Sequence, residues 1–186
     1  MQSRSSDPFL QALDFGRIGA FGHSFGGVVA IKLCQRESSV QACVNEDGEM
    51  SGKTLTPNES APPIDPTVSV KTPLLIFTLV EPGMKGNPFY MQLRKERQDD
   101  VVGFLHGKTS RSYLIDIDRP DINHMSFSDI PLFYDNEKRA GGLQLSGFTR
   151  NVTCAFFDRF LKGESPSRLN KVLSESQVGT VSVFAH

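Results

Sequence analysis

Arg17-Ile18-Gly19-Ala20-Phe21-Gly22-His23-Ser24-Phe25-Gly26-Gly27-Val28-Val29-Ala30 decides how the rest of this 186-residue chain is read. An apolar run ends at Phe21, a serine sits in a glycine-flanked turn, and a long apolar helical stretch opens at Phe25. Gly22-His23-Ser24-Phe25-Gly26 fits G-x-S-x-G, a sharp strand-to-helix turn that holds its serine in a strained backbone conformation, with the hydroxyl above the sheet edge. A side chain at Gly22 or Gly26 is expected to collide with the neighbouring strand or helix as the chain reverses. Gly27 is expected to let the helix pack close to the sheet. Five-residue patterns recur by chance, so the strand before the motif and the helix after it carry the assignment.

Outward from this turn, the helix spans Phe25 to about Arg36 and is apolar almost all round, which predicts deep burial. Val40 to Asn45 reads as a buried parallel strand ending in the acidic turn Asn45-Glu46-Asp47-Gly48-Glu49. Residues 50–72 are rich in proline, serine and threonine and read as a surface loop or flap. Pro73 to Val80 is the clearest strand, Pro88 to about Leu105 has helical spacing, and Ser112 to Ile117 is a fourth strand. A helix from about Leu143 to Leu161 repeats apolar residues three to four apart and stops at Gly163. The organisation is one domain: a lead-in over 1–16, a core over 17–162 and a tail over 163–186 with little apolar pattern. About four strands alternating with helices predict an α/β fold with a parallel sheet, where reactive groups gather at the carboxyl ends of strands.

Composition narrows the partners. At a net charge of -1 neither sign dominates, so nothing in the composition points to nucleic acid or an anionic membrane surface as partner. No apolar run approaches the roughly 20 residues of a transmembrane helix, and Met1 to Asp7 carries no signal-peptide core. Cys34, Cys43 and Cys154 lie in apolar stretches without C-x-x-C spacing. They read as small buried core residues, with neither a zinc site nor a disulfide framework indicated. No cofactor or metal is called for.

A serine hydroxyl needs a base to become a nucleophile at neutral pH, and histidine, with a pKa near 6.5, suits. His23 lies inside the turn and points away from the hydroxyl, which suggests a packing role behind the site. His106 precedes a strand, on the wrong side of the sheet, and His186 is the last residue. His124 alone lies in a loop after a strand and downstream of Ser24. A carboxylate must orient the imidazole, and the chain order Ser, acid, His leaves Asp47 and Glu81 about even. Glu46, Glu49, Asp118 and Asp121 are outsiders. The backbone N–H of Phe25, next after the serine, is placed to donate to an oxyanion.

The run Arg17 to Gly27, then Val44-Asn45-Glu46-Asp47-Gly48, Lys71 to Phe77 and His124-Met125-Ser126-Phe127-Ser128-Asp129, resembles the platelet-activating-factor acetylhydrolase family and its microbial relatives. The similarity covers residues 15 to about 162 and is most specific where Asp47-Gly48 pairs with His124-Met125-Ser126-Phe127. That resemblance implies a partial α/β-hydrolase fold and a serine carboxylic-ester hydrolase, with Ser24 as nucleophile, Asp47 as orienting acid and His124 as base. It raises Asp47 over Glu81. It implies a phospholipid carrying a short or oxidised acyl chain at the middle glycerol position as substrate, with other short-chain esters as a close alternative. A peripheral contact with lipid surfaces goes with such a substrate. From position, Phe25, Met125, Phe127 and the 50–72 loop are expected to line the pocket.

One departure stands out. In this family a longer chain precedes the serine turn and holds the first half of the sheet and a second oxyanion donor. Only about 16 residues precede the strand here. The expectation is therefore the C-terminal half of such an enzyme, with the serine strand at an apolar open edge and no second donor in residues 1–16. A second class follows from the same gap: a hydrolase-like half domain that keeps the triad residues by descent and does not catalyse.

Overall fold

The computed structural model describes residues 8–52, 64, 71–108, 111–134, 137–176 and 178–184. Most of the 50–72 loop, the first seven residues and His186 lie outside the described residues. The elements are α1 (Pro8–Ala12), β1 (Ile18–His23), α2 (Phe25–Arg36), β2 (Val40–Glu46), β3 (Leu74–Leu79), α3 (Pro88–Lys108), β4 (Ser112–Ile117), α4 (Glu137–Leu161), α5 (Ser167–Ser174) and β5 (Thr180–Phe184). Short 3₁₀ turns cover Pro82–Met84, His124–Phe127 and Ile130–Phe133.

The sheet order is β1-β2-β3-β4-β5; β1 to β4 are parallel and β5 runs antiparallel beside β4. This is a mixed α/β sheet with flanking helices, a partial α/β-hydrolase fold. The tail is not featureless. α5 buries Leu169 and Leu173, and β5 supplies a fifth strand that the sequence reading did not contain.

Both faces of the central strands are covered, which is why they read as continuous apolar runs rather than alternating ones. On one face Val44, Leu75, Phe77, Ile115 and Ile117 pack against Leu145, Val152 and Phe156 of α4 and Leu169 of α5. On the other, Cys43, Leu74, Ile76 and Leu114 pack against Val28 and Ile31 of α2 and Val101, Phe104 and Leu105 of α3. The helix after Ser24 is less buried than its composition predicts. Val28, Ala30, Ile31 and Cys34 are buried, but Phe25, Val29 and Leu33 are exposed, because the sheet covers one side of α2 only.

The cysteines correct the sequence reading twice. Cys34 and Cys43 are both buried, as expected, yet they form a disulfide joining α2 to β2. Cys154 is exposed on α4, because its helical neighbours Val152, Ala155 and Phe156 take the inward positions. Among the described residues no helix is long and apolar enough to cross a membrane.

Candidate active site

The turn after β1 has the strain its sequence predicts. Ser24 has φ 57° and ψ -125°, a region that costs about 1–3 kcal/mol for a side-chain-bearing residue and persists only where the surroundings enforce it. The enforcing contacts are visible. The Ser24 N–H donates to Glu46 O at 2.9 Å, while Ser24 O accepts from Gly27 N at 3.0 Å and Val28 N at 3.3 Å. Of the motif glycines, Gly22 has no room for a side chain, since a Cβ there falls 2.4 Å from the Gly26 carbonyl carbon. Gly27 is equally constrained, by Asn45 Oδ1 at 2.0 Å. Gly26 is not: a Cβ there meets nothing within 4 Å, because it faces outward on the first turn of α2.

The turn after β2 repeats the device. Asp47 has φ 55°, again positive for a non-glycine residue. Buried Asn45 closes this turn, with its amide donating to Gly48 O at 3.0 Å and its carbonyl accepting from Gly48 N at 2.7 Å. Gly48 is needed for proximity rather than for an unusual φ. A Cβ there would lie 2.3 Å from Ser24 O, so the two turns are pressed together.

Asp47 uses both oxygens. Oδ1 accepts from the Leu79 N–H at 3.0 Å, and Oδ2 lies 2.7 Å from His124 Nδ1. Burial pushes the Asp47 carboxyl above the usual carboxylate range, opposed by its hydrogen bonds to His124 and Leu79. The same hydrogen bond raises the His124 imidazole, against burial, which lowers it. Asp47 fixes the ring's tautomer: with Nδ1–H donating to the carboxylate, Nε2 is left as the acceptor.

His124 opens a 3₁₀ turn capped by Asn123, whose backbone N–H donates to Ser126 Oγ at 3.0 Å. Its own backbone N–H donates to Glu81 Oε2 at 3.2 Å, and its carbonyl is 2.9 Å from His23 Nε2. The His23 ring lies 4.5 Å from the His124 ring and stacks on Phe127 at 5.8 Å; Phe127 in turn packs edge-on against Phe77. Burial, then the neighbouring His124, holds the His23 imidazole below its ordinary value.

Ser24, Asp47 and His124 open into one cavity of about 420 Å³, together with Phe25, Glu81, Met50 and residues of α3. Met125 and Phe127 do not line it, contrary to the positional expectation. The 3₁₀ turn sends Phe127 beneath His124 into the aromatic stack, and Met125 stands at the surface. The α3 wall was missed from sequence: Tyr90, Arg94, Arg97, Gln98 and Val101 face the cavity. Their spacing of three to four was the available signal. Arg94 pairs with Asp116 and Arg97 with Glu49, so this wall is polar yet charge-balanced.

The other carboxylates have separate occupations. Glu81 holds a backbone N–H of His124, Asp118 pairs with Lys85, and Asp121 takes Arg119 through both oxygens. Glu46 pairs in register with His23 and projects to the α4 side of the sheet with Val44, where burial pushes its carboxyl up to about 7. His106 lies against Phe184 of β5, away from the cavity.

No protein-family model matches this chain, and no curated protein matches it. Among solved structures it is similar to a ferulic acid esterase from Streptomyces cinnamoneus, with a TM-score of 0.53 and 22% identity. The alignment covers 97% of this chain and 50% of that one, so the chain spans about half the length of that structure. At this identity the likeness is one of fold.

Proposed function

We propose that this chain is a serine carboxylic-ester hydrolase, with Ser24 as nucleophile, His124 as general base and Asp47 as the carboxylate that orients it. One observation carries the reading. A serine in a strained turn and a histidine hydrogen-bonded through Nδ1 to a buried carboxylate face one cavity. In this chemistry His124 Nε2 takes the Ser24 proton as Oγ attacks the ester carbonyl, and His124 then gives that proton to the departing alkoxide. Water, deprotonated by the same nitrogen, cleaves the acyl-enzyme. Phe25 begins α2, so its amide N–H has no helical partner and is available to the developing oxyanion.

The substrate proposed is an ester with a short acyl chain, including the sn-2 ester of a phospholipid with a short or oxidised acyl group. Phe25, Val28, Met50, Leu79 and Val101 give the cavity apolar walls, and its volume suits a small acyl group. The polar α3 wall favours a second reading, an aryl ester of the kind named for the ferulic acid esterase, whose ring substituents would meet Tyr90, Arg94 and Gln98.

The test is hydrolysis of p-nitrophenyl acetate, methyl ferulate and a 2-acetyl phospholipid, with fluorophosphonate labelling in parallel. Labelling that vanishes in Ser24→Ala supports the enzyme, and the ranking of the three esters assigns the class. A folded, soluble sample that neither turns over nor labels would sink catalysis and favour the non-catalytic half domain. Asp47→Asn should cost orders of magnitude in kcat, whereas a larger loss from Glu81→Gln would make Glu81 the acid. Because Asp47 raises His124 and the base must be neutral, the acid limb of kcat/KM should lie above 6.5 and move down in Asp47→Asn.

A further inference from the structure

We infer that His23 and Glu81 are positioning residues that clamp the two backbone polar groups of His124, and so set where its imidazole stands between Asp47 and Ser24. The kinetic part of this assignment rests on the esterase reading; the structural part does not.

His124 is held at three points from three different strands. Asp47, after β2, takes the ring Nδ1 at 2.7 Å. Glu81, after β3, accepts the backbone N–H at 3.2 Å. His23, at the end of β1, meets the carbonyl oxygen through Nε2 at 2.9 Å. The first residue of a 3₁₀ turn has an N–H with no partner inside the turn, so without Glu81 this half-buried donor is orphaned. The carbonyl oxygen accepts and cannot donate, so His23 must carry its proton on Nε2.

Both clamp residues are themselves braced. The Glu81 N–H donates to Tyr90 Oη at 2.8 Å, which ties it to α3. The His23 ring is fixed by stacking on Phe127, and its strand by the register with β2. Both side chains make their hydrogen bond to the His124 backbone, so both act through His124. A ring hinged only at Asp47 could pivot about that one hydrogen bond. Fixing the peptide units on either side of its Cα removes that freedom, and small misplacements of a base lower turnover steeply.

The test compares isosteres that keep each hydrogen bond with truncations that remove it. His23→Gln places an amide N–H near the position of Nε2, and Glu81→Gln keeps an acceptor oxygen; His23→Leu and Glu81→Ala remove donor and acceptor. In steady-state hydrolysis of p-nitrophenyl acetate the truncations should lose about ten- to a hundredfold in kcat with KM within about twofold, and the glutamine variants should recover most of that loss. The independent readout is the downfield proton resonance of the His124–Asp47 hydrogen bond, which should broaden or vanish in the truncations and persist in the glutamine variants. Thermal melts separate unfolding from misplacement; if His23→Leu does not fold, Glu81→Ala and the glutamine pair still decide. Truncations with wild-type kcat and an unshifted proton resonance would overturn the clamp. An inert wild type whose resonance still responds as described would instead defeat the esterase reading and leave the clamp standing.

Discussion

The two sides of the sheet's serine turn are built to different standards. β3, two strands away from β1, buries Leu74, Leu75, Ile76 and Phe77 completely and is paired on both edges. β1, which delivers Ser24, is paired on one edge only among the described residues, and its Phe21 is 65% exposed. α2 shares this asymmetry, with Val28 and Ile31 inside and Phe25, Val29 and Leu33 outside. Among the described residues the proposed nucleophile thus follows a strand with one neighbour, while Asp47, Glu81 and His124 follow strands with two neighbours each. What keeps the serine in place is local: the strained turn is locked to β2 by Ser24 N–H to Glu46 O and by the pressed contact of Gly48 on Ser24 O.

The largest test of that contrast is a matched pair of truncations. Phe77→Ala opens a cavity between β3, Phe127 and Phe148 and should cost about 3–5 kcal/mol in urea unfolding. Phe21→Ala removes a largely exposed ring that meets Phe157 edge-on and should change stability by about 0.5 kcal/mol or less. Equal costs would break the comparison and mean that the β1 edge is covered in solution. An exposed apolar edge of this kind also favours self-association, so Phe21→Lys should raise the concentration at which the protein stays monomeric in ultracentrifugation.

The disulfide is the next device that steadies the weaker side. Cys34 and Cys43 are nine residues apart, and closing so short a loop contributes about 2–3 kcal/mol. Reduction, or the pair Cys34→Ala and Cys43→Ala, should lower the unfolding free energy by that amount and bring the urea midpoint down with it, with hydrogen-exchange protection lost first in α2 and last in β3. Uniform loss would show that α2 and the sheet unfold as one unit.

Much of this was legible before any coordinates. G-x-S-x-G between an apolar strand and an apolar helix located Ser24. The run Pro-Leu-Leu-Ile-Phe read as the clearest strand, and acidic and histidine turns at strand ends brought Asp47 and His124 forward. Four things were not legible, each for a physical reason. β5 buries only Phe184, because an antiparallel edge strand needs one covered face, so its pattern was too weak to see. The disulfide depends on how α2 lies on β2, which no spacing rule encodes. Phe127 turned inward because His124 opens a 3₁₀ turn, whereas the expectation for Phe127 rested on its position alone. Glu81 looked like a second acid because sequence shows that a carboxylate is near, not which atom it meets.

Glu46 gives a smaller and pH-dependent effect. Its carboxyl is raised from the ordinary 4.5 to about 7 by burial, so the folded protein holds a proton there that the unfolded chain releases. Stability from this group is therefore fully present below 4.5 and is lost as pH rises toward 7. Discounted for its remaining solvent contact, the loss is roughly 1–2 kcal/mol. Glu46→Gln should unfold like wild type at acid pH and exceed it by that margin at alkaline pH. A constant offset at all pH values would show that Glu46 is not held protonated.

The smallest effect discriminates within the motif itself. Gly26 and Gly27 are consecutive, occupy the first turn of α2 and both look obligatory from sequence, yet they face opposite ways. At Gly27 a Cβ would drive into the amide of Asn45 that closes the Asp47 turn, so Gly27→Ala should destabilise the fold and lower the proposed esterase activity together. At Gly26 a Cβ enters open space on the same uncovered side as Val29 and Leu33. Gly26→Ala should therefore stabilise the protein by about 0.5–1 kcal/mol, since alanine restricts the unfolded chain and favours helix. A clear loss in Gly26→Ala would mean that something packs against this face of α2 in solution, and the contrast between the two sides of the serine turn would have to be redrawn.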